Sequence, residues 1–154
     1  MSTPHDQSRW FTYRSRVAFY DTDAMGVVHH ANYIRYFEDA RLEWMREAGL
    51  LYLHHPYGPF VFAVYDLRNQ YWKPLKFDEE FEIRLQTKLE GARVHFQYAL
   101  WSPSQKTIAA AGSIALVPVD VQLKPSRLPK EAREVFARTP WDEVWPPAPG
   151  TLTP

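Results

Sequence analysis

Residues 10–20, WFTYRSRVAFY, alternate loosely along the chain. Phe11, Tyr13, Val17 and Phe19 fall on one side and Thr12, Arg14 and Arg16 on the other, which predicts a first strand. From about Asn32 to Ala48 the period lengthens. Ile34, Phe37, Arg41, Trp44 and Ala48 follow helical spacing, flanked by Tyr33, Ala40 and Met45, while Arg35, Asp39, Glu43, Arg46 and Glu47 form a charged face. Arg35 and Asp39 stand one turn apart, the spacing of a helical ion pair. Gly49 is placed to end the helix in the left-handed conformation. The apolar stripe is wide, so the helix is expected to be wrapped by other structure rather than laid on a surface.

Four strand-like segments follow. FVFAVYDLRNQYW (60–72) is apolar over much of its length, the pattern of a strand buried on both faces. FEIRLQTKL (81–89) and RVHFQYALW (93–101) alternate, and KTIAAAGSIALV (106–117) is rich in small residues. The turns EGA and SPSQ join the last three into a meander of hairpins. LPKEAREVFART (128–139) predicts a short final helix with Pro129 near its start. This order is that of an α+β domain, an antiparallel sheet of about five strands with one helix long enough to cover its apolar face. Ala109, Ala111, Gly112 and Ser113 are small enough to let that helix approach closely, and equally suit a lightly packed strand. Residues 1–139 then form a single domain. The Pro-rich, aperiodic end, RTPWDEVWPPAPGTLTP, predicts a loose C-terminal tail over 140–154.

Composition narrows the function. Eighteen Lys and Arg balance 18 Asp and Glu in 154 residues, so no general attraction to nucleic acid or to an anionic membrane is expected. No apolar run approaches the roughly 20 residues of a membrane span, and MSTPHDQSRW lacks the apolar core of a secretory signal. Without cysteine, thiol catalysis, disulfides and thiolate metal sites are excluded. The expectation is a soluble, cytoplasmic protein with no nucleic-acid partner and no membrane insertion. Aromatics make up 16% of the chain, enough to line an apolar pocket or simply to build an aromatic core.

One stretch suits neither a core element nor a solvated loop: YDTDAMGVVHHANY, Tyr20 to Tyr33. Such a stretch can bring together a base or nucleophile and donors aimed at an oxygen that becomes negative. A loop carboxylate supplies the first, and the unpaired N–H groups that open a helix supply the second. Asp23 and His30 stand seven residues apart with Gly26 between them, enough chain to turn the carboxylate back towards the helix start. An isolated loop aspartate is ordinarily a capping carboxylate, and Asp21 is assigned that turn or capping role.

The element order and this block resemble the hotdog fold. More narrowly they resemble the 4-hydroxybenzoyl-CoA thioesterase family, in its Tol–Pal-associated, YbgC-like acyl-CoA thioesterase branch. RVAFYDTDAMGVVHHANYIRYFEDARLEWMREAGL (16–50) carries the resemblance, with weaker echoes in YWKPLKFDEEFEI (71–83) and VDVQLKPSRLP (119–129). It implies a long central helix wrapped by the sheet, and hydrolysis of a short-chain or aromatic acyl-CoA to free acid and CoA. By resemblance Asp23 is the catalytic acid, either a nucleophile acting through a mixed anhydride or a general base on water. His30 would orient water or protonate the leaving thiolate, with its backbone N–H towards the thioester carbonyl; the plain alternative is a structural histidine at a helix start. His29 falls on the pocket wall. Asn32 matches the pattern and also has a plain use as helix cap, and Tyr33 lines the acyl pocket or simply packs. Met25 stands where relatives usually carry a small residue, which narrows the acyl pocket unless the loop accommodates it. Phe19 replaces a frequent tyrosine, so a helper hydroxyl is missing. Lys73, Arg93, Lys124 and Arg127 are candidates by position for the CoA phosphates, each otherwise a solvated charge.

The resemblance also implies assembly as a homo-oligomer, a dimer or more fully a homotetramer, with sites between subunits; a single sheet with open edges leaves room for it. It implies no cofactor, since the CoA thioester is the substrate. The HH pairs at 29–30 and 54–55, near Asp21 and Asp23, raise a metal site, but adjacent histidines ordinarily point apart and HExxH and H-x₃₋₅-H spacings are missing, so none is expected. No GxSxG elbow supports a serine triad. Two other functions fit the block: a hotdog protein that binds acyl-CoA or acyl carrier protein without turnover, and a protein-interaction module.

Overall fold

The computed structural model describes residues 10–53 and 55–145. The helical and alternating segments form β1 (Phe11–Arg16), α1 (Asn32–Glu47), β2 (Phe60–Tyr71), β3 (Glu80–Glu90), β4 (Arg93–Ser102), β5 (Thr107–Asp120) and α2 (Lys130–Arg138). The strands make one antiparallel sheet in the order β1-β3-β4-β5-β2. The long helix lies across it, as the hotdog resemblance implies. Among the described residues no helix is long and apolar enough to cross a membrane.

α1 buries Tyr33, Tyr36, Phe37, Ala40, Trp44 and Met45. Phe37 stacks on Tyr98 of β4 with ring centroids 4.8 Å apart. Trp44 sits between Phe96 of β4 and Phe136 of α2, at 5.4 and 5.5 Å. A phenylalanine buried in this way contributes about 1.5–3 kcal/mol. Of the four small residues in β5, Gly112 admits the helix: a Cβ there would lie 2.8 Å from the Phe37 ring and 2.3 Å from Asn69 Oδ1. Arg41, within the apolar stripe, reaches the Tyr98 hydroxyl at 3.3 Å and lies over the Phe96 ring. Burial pushes that hydroxyl up to about 12. α1 closes at Gly49, whose φ is +78°. The Gly49 amide donates to the Arg46 carbonyl and the Leu50 amide to the Met45 carbonyl, a left-handed glycine stop.

The structure alters four expectations. The first strand ends at Arg16 rather than near residue 20, because the Asp21 carboxylate accepts the Ala18 amide at 3.0 Å and folds Phe19–Asp21 into a single 3₁₀ turn. Phe19 is left 73% exposed. Arg35 pairs with Asp21, not with Asp39 one turn on. β2 is not buried on both faces. Among the described residues it pairs only with β5, and Val64, Tyr65, Leu67 and Tyr71 are exposed along its other edge. Finally, the tail is not loose as far as residue 145. Buried Gln86 of β3 grips Asp142, accepting its N–H at 2.8 Å and donating to its carbonyl at 2.9 Å. Trp10 donates to the Asp142 carboxylate and meets Trp145 edge-on. By strand alternation this contact lies on the sheet face opposite α1. Residues 146–154 fall outside the described residues.

Gly112→Ala tests the helix approach. Overpacking against the stacked Phe37 is expected to remove about 1–3 kcal/mol of stability, read as a lower midpoint of thermal unfolding. An unchanged midpoint would mean that α1 does not press this closely on β5.

Candidate functional site

The turn before α1 is organised by Asp21, which is 2% exposed. Its carboxylate accepts the Ala18 amide, the Tyr36 hydroxyl at 2.7 Å and the Arg35 guanidinium. Its carbonyl accepts the His29 amide at 2.9 Å and the Asn32 side-chain amide at 2.8 Å. Burial alone would raise the carboxyl pKa, but Tyr36, Ala18 and Arg35 outweigh it and hold the group below its ordinary 3.8. Burial and the same carboxylate push the Tyr36 hydroxyl far up. Asp21 thus fills the turn-capping role and, beyond it, ties the turn to the first helical residues. Asn32 is not the helix cap; Ala31 holds that position, and the Asn32 side chain is turned to the Asp21 carbonyl instead.

From Asp21 to His29 the chain forms a narrow loop. Thr22 pairs with Val28, and the Asp23 amide donates to the Val27 carbonyl at 2.9 Å. Gly26, at φ +77°, makes the tight bend between them. Val27 bridges to Lys76 and the Val28 amide donates to the Leu75 carbonyl, which fastens the loop to the segment before β3. Asp23 Oδ1 accepts the Met25 amide at 2.8 Å. Oδ2 has no hydrogen-bond partner among the described residues. Asp23 therefore closes its own turn with one oxygen and leaves the other free.

The two histidines do not point apart. Their rings stack at 4.2 Å, and His29 Nδ1 accepts the Ala31 amide at 3.1 Å. The His30 amide has no acceptor among the described residues. Both histidines and Met25 are exposed. One loop thus carries a half-free carboxylate, an imidazole and an unpaired N–H at the opening of a helix, the components that acyl transfer needs. Among the described residues no group of three or more His, Asp and Glu side chains is disposed to hold a metal ion; His54 lies outside them.

The other candidates divide by position. Tyr33 is buried beneath the loop, edge-on to Tyr36 and Tyr71, so in the single chain it packs. Lys73 follows β2, at the end where the Tyr71 hydroxyl meets the His30 carbonyl. Arg93, Lys124 and Arg127 lie at the far end. Arg93 covers the Tyr65 ring at 4.1 Å. The Lys124 amide donates to the carboxylate of Asp120, whose strand partner is Phe60. Arg127 lines a cavity of about 620 Å³ with Leu89, Pro118, Leu128 and Arg133. Tyr65 and Phe60 stand six and eleven residues from Tyr71 along β2, or roughly 20 and 35 Å at the rise of a strand. Within one chain the structure brings Asp23, Met25, His29, His30, Asn32 and Lys73 to one end of the sheet, and does not bring the three other basic residues to them. Sequence reasoning missed Arg35, Tyr36 and Tyr71. Their partners are distant in the chain, and no local period signals them.

Residues 17–136 match the family model described as the thioesterase-like superfamily. The acyl-CoA thioester hydrolase YbgC of Escherichia coli is 30% identical over 129 residues, covering 78% of this chain and 90% of that protein. Among solved structures, a hypothetical protein of Aquifex aeolicus is 35% identical with a TM-score of 0.73, over 82% of this chain and 98% of that one. A 1,4-dihydroxy-2-naphthoyl-CoA thioesterase from Synechocystis superposes with a TM-score of 0.75 over 84% of this chain and 96% of its own. At 18% identity it shares the fold alone.

Asp21→Asn tests the charge at the centre of the turn. The folded-state carboxyl titrates below 3.8, so its stabilisation is complete above that value and is lost as the pH falls through the lower folded-state value. The variant is expected to be less stable than the parent by about 3 kcal/mol at pH 7. In thermal unfolding that gap should shrink as the pH is taken below 3.8 and through the lower folded-state value. A gap that does not change with pH would show that the charge is not what holds the turn.

Proposed function

The chain belongs to the thioesterase-like superfamily, and from that premise we propose that it hydrolyses short-chain or aromatic acyl-CoA thioesters to the free acid and CoA. The observation that carries this reading is the half-free Asp23 carboxylate on the same short loop as the unpaired His30 amide. Asp23 Oδ2 either attacks the thioester carbon, forming a mixed anhydride and releasing the thiolate, after which water cleaves the anhydride to the free acid and restores the carboxylate, or takes a proton from the water that attacks the thioester directly. The His30 N–H, at the positive end of α1, meets the oxygen as it becomes negative. The His30 imidazole delivers a proton to the leaving sulfur. The scheme draws on no metal or cofactor. The same thioester carried by an acyl carrier protein would meet the same groups, and a cysteine-free chain acting on CoA esters suits the reducing cytoplasm.

A single chain is half of this site. Its loop of Asp23 and His30 is open to solvent, and its β2 edge carries exposed apolar residues with no strand of the described residues beside them. Pairing β2 antiparallel with β2 of a second copy would bury that edge and satisfy its backbone. It would also set the far end of the partner's sheet beside this chain's Tyr71 end. Arg93, Lys124 and Arg127 then serve the CoA phosphates of the neighbouring site rather than their own. Such a dimer, alone or doubled into a tetramer, reconciles the basic residues with the loop. Binding without turnover would call for Met25 to block the acyl channel; its side chain is 82% exposed at the loop tip and fills nothing in the single chain.

Release of free thiol from a panel of acyl-CoAs, followed with the wild type, Asp23→Asn and Arg127→Ala, tests both proposals. Asp23→Asn is expected to lower kcat by about 10²–10⁴-fold, while Arg127→Ala chiefly raises KM. At substrate well below KM, mixed subunits of the two variants would regain one intact site per mixed dimer, about a quarter of wild-type activity for statistical pairing. Full activity in Asp23→Asn would overturn the hydrolase mechanism. Absence of recovery on mixing would overturn the sharing of basic residues between subunits.

A further inference from the structure

The turn entering α1 is held from the sheet by a residue outside the loop block. Tyr71, the last residue of β2, donates its hydroxyl to the His30 carbonyl at 2.9 Å, 41 residues away in the chain. The same oxygen accepts Asn69 Nδ2 at 3.3 Å, which leaves the hydroxyl proton for His30. Tyr71 is 44% exposed, but its ring meets buried Tyr33 edge-on at 5.0 Å, which braces the hydroxyl from one side. The other end of the same peptide group, the Ala31 N–H, is accepted by His29 Nδ1 at 3.1 Å. That bond requires a neutral His29 with its proton on Nε2. One peptide group is therefore pinned by a side chain at its oxygen and by another at its nitrogen. The amide immediately before it, His30's own N–H, is the one left without an acceptor.

This arrangement has a mechanical consequence. Rotation about the His30 backbone would swing both its N–H and its imidazole, and would break the bond from Tyr71. An oxyanion donor is effective only if it is in place before charge develops, and small misplacements at a reacting centre are costly in rate. We propose that Tyr71 is a positioning residue whose hydroxyl clamps the His30 carbonyl so that the neighbouring His30 N–H stays aimed at the thioester oxygen. The inference rests on the hydrolase reading above and adds to it a residue on the sheet edge, oriented by Asn69, whose own Oδ1 is buried without a donor.

Tyr71→Phe keeps the ring and its contact with Tyr33 and deletes only the hydroxyl. In the wild type and this variant, kcat and KM are measured by thiol release, the melting midpoint by thermal unfolding, and backbone amide exchange by NMR. The expected result is a kcat about tenfold lower with KM within about twofold, and a nearly unchanged midpoint. Exchange at Ala31 and Asn32 should be several-fold faster while the β3 and β4 amides keep their rates. Unchanged exchange at the turn overturns the proposal whatever the turnover, because the clamp would then hold nothing. Faster exchange with wild-type kcat overturns it as well. A wild type that cleaves no acyl-CoA overturns the hydrolase reading and the proposal together, which separates that failure from the failure of the clamp alone.

Discussion

A carboxylate taken out of water must find donors for its oxygens, or the fold loses several kcal/mol. At Asp21 that demand is met by the Ala18 amide behind it and by Arg35 and Tyr36 ahead of it. The backbone on both sides of the buried group is thereby drawn to one point. The first strand must stop, the chain must turn, and α1 must begin with its Arg35–Tyr36 face towards the turn. Because the Asp21 carbonyl also takes the His29 amide and the Asn32 side chain, the loop between them has both ends tied. Without this buried charge, the loop of Asp23 and His30 would lose its tie to Ala18 and to the Arg35–Tyr36 face of α1 and would rest on backbone and sheet contacts alone.

The groups proposed to react are thus assembled by a neighbour whose own oxygens are all taken. Asp21 has no free oxygen on its carboxylate, whereas Asp23 keeps one. Two aspartates two residues apart divide into a buried strut and a half-buried candidate base because only the first can reach Ala18 and α1. The sheet contributes the second anchor, through the Tyr71 hydroxyl and the Leu75 carbonyl. Its β2 edge, open among the described residues, supports the proposed second copy, since the basic residues proposed for the CoA phosphates stand at the other end of their own chain.

Much of this was legible in the sequence. The alternation of β3 and β4 and the helical period of α1 arise because one face of each is pressed into a common core, and Gly49 marks the helix stop by its left-handed backbone. The carboxylate, glycine and histidines were legible as a block on the resemblance alone. Other features were not. A long apolar run such as 60–72 reads alike whether the strand is central or an edge awaiting a partner. The strand period of 10–20 conceals the turn, because the hydrogen bond that ends β1 comes from a side chain beyond the segment. Asn32 has the residue type of a cap and is drawn off by a carbonyl that only the folded loop presents. Tyr71 lies 41 residues from the carbonyl it holds, and nothing local to either marks the other. The tail's Asp142 is fixed by Gln86, a buried polar side chain that no composition argument singles out.

The central claim is that one carbonyl is met by Asp23 and by the His30 amide together. A crystal structure of the wild type with a non-hydrolysable acyl-CoA analogue, its sulfur replaced by methylene, tests it most directly. The account predicts the ketone oxygen about 2.7–3.1 Å from the His30 nitrogen, the Asp23 Oδ2 facing the carbonyl carbon or a water beside it, and the phosphates on the basic residues of the other subunit. An analogue bound with its carbonyl remote from the start of α1, or with Asp23 turned away from it in every subunit pairing, would contradict the account.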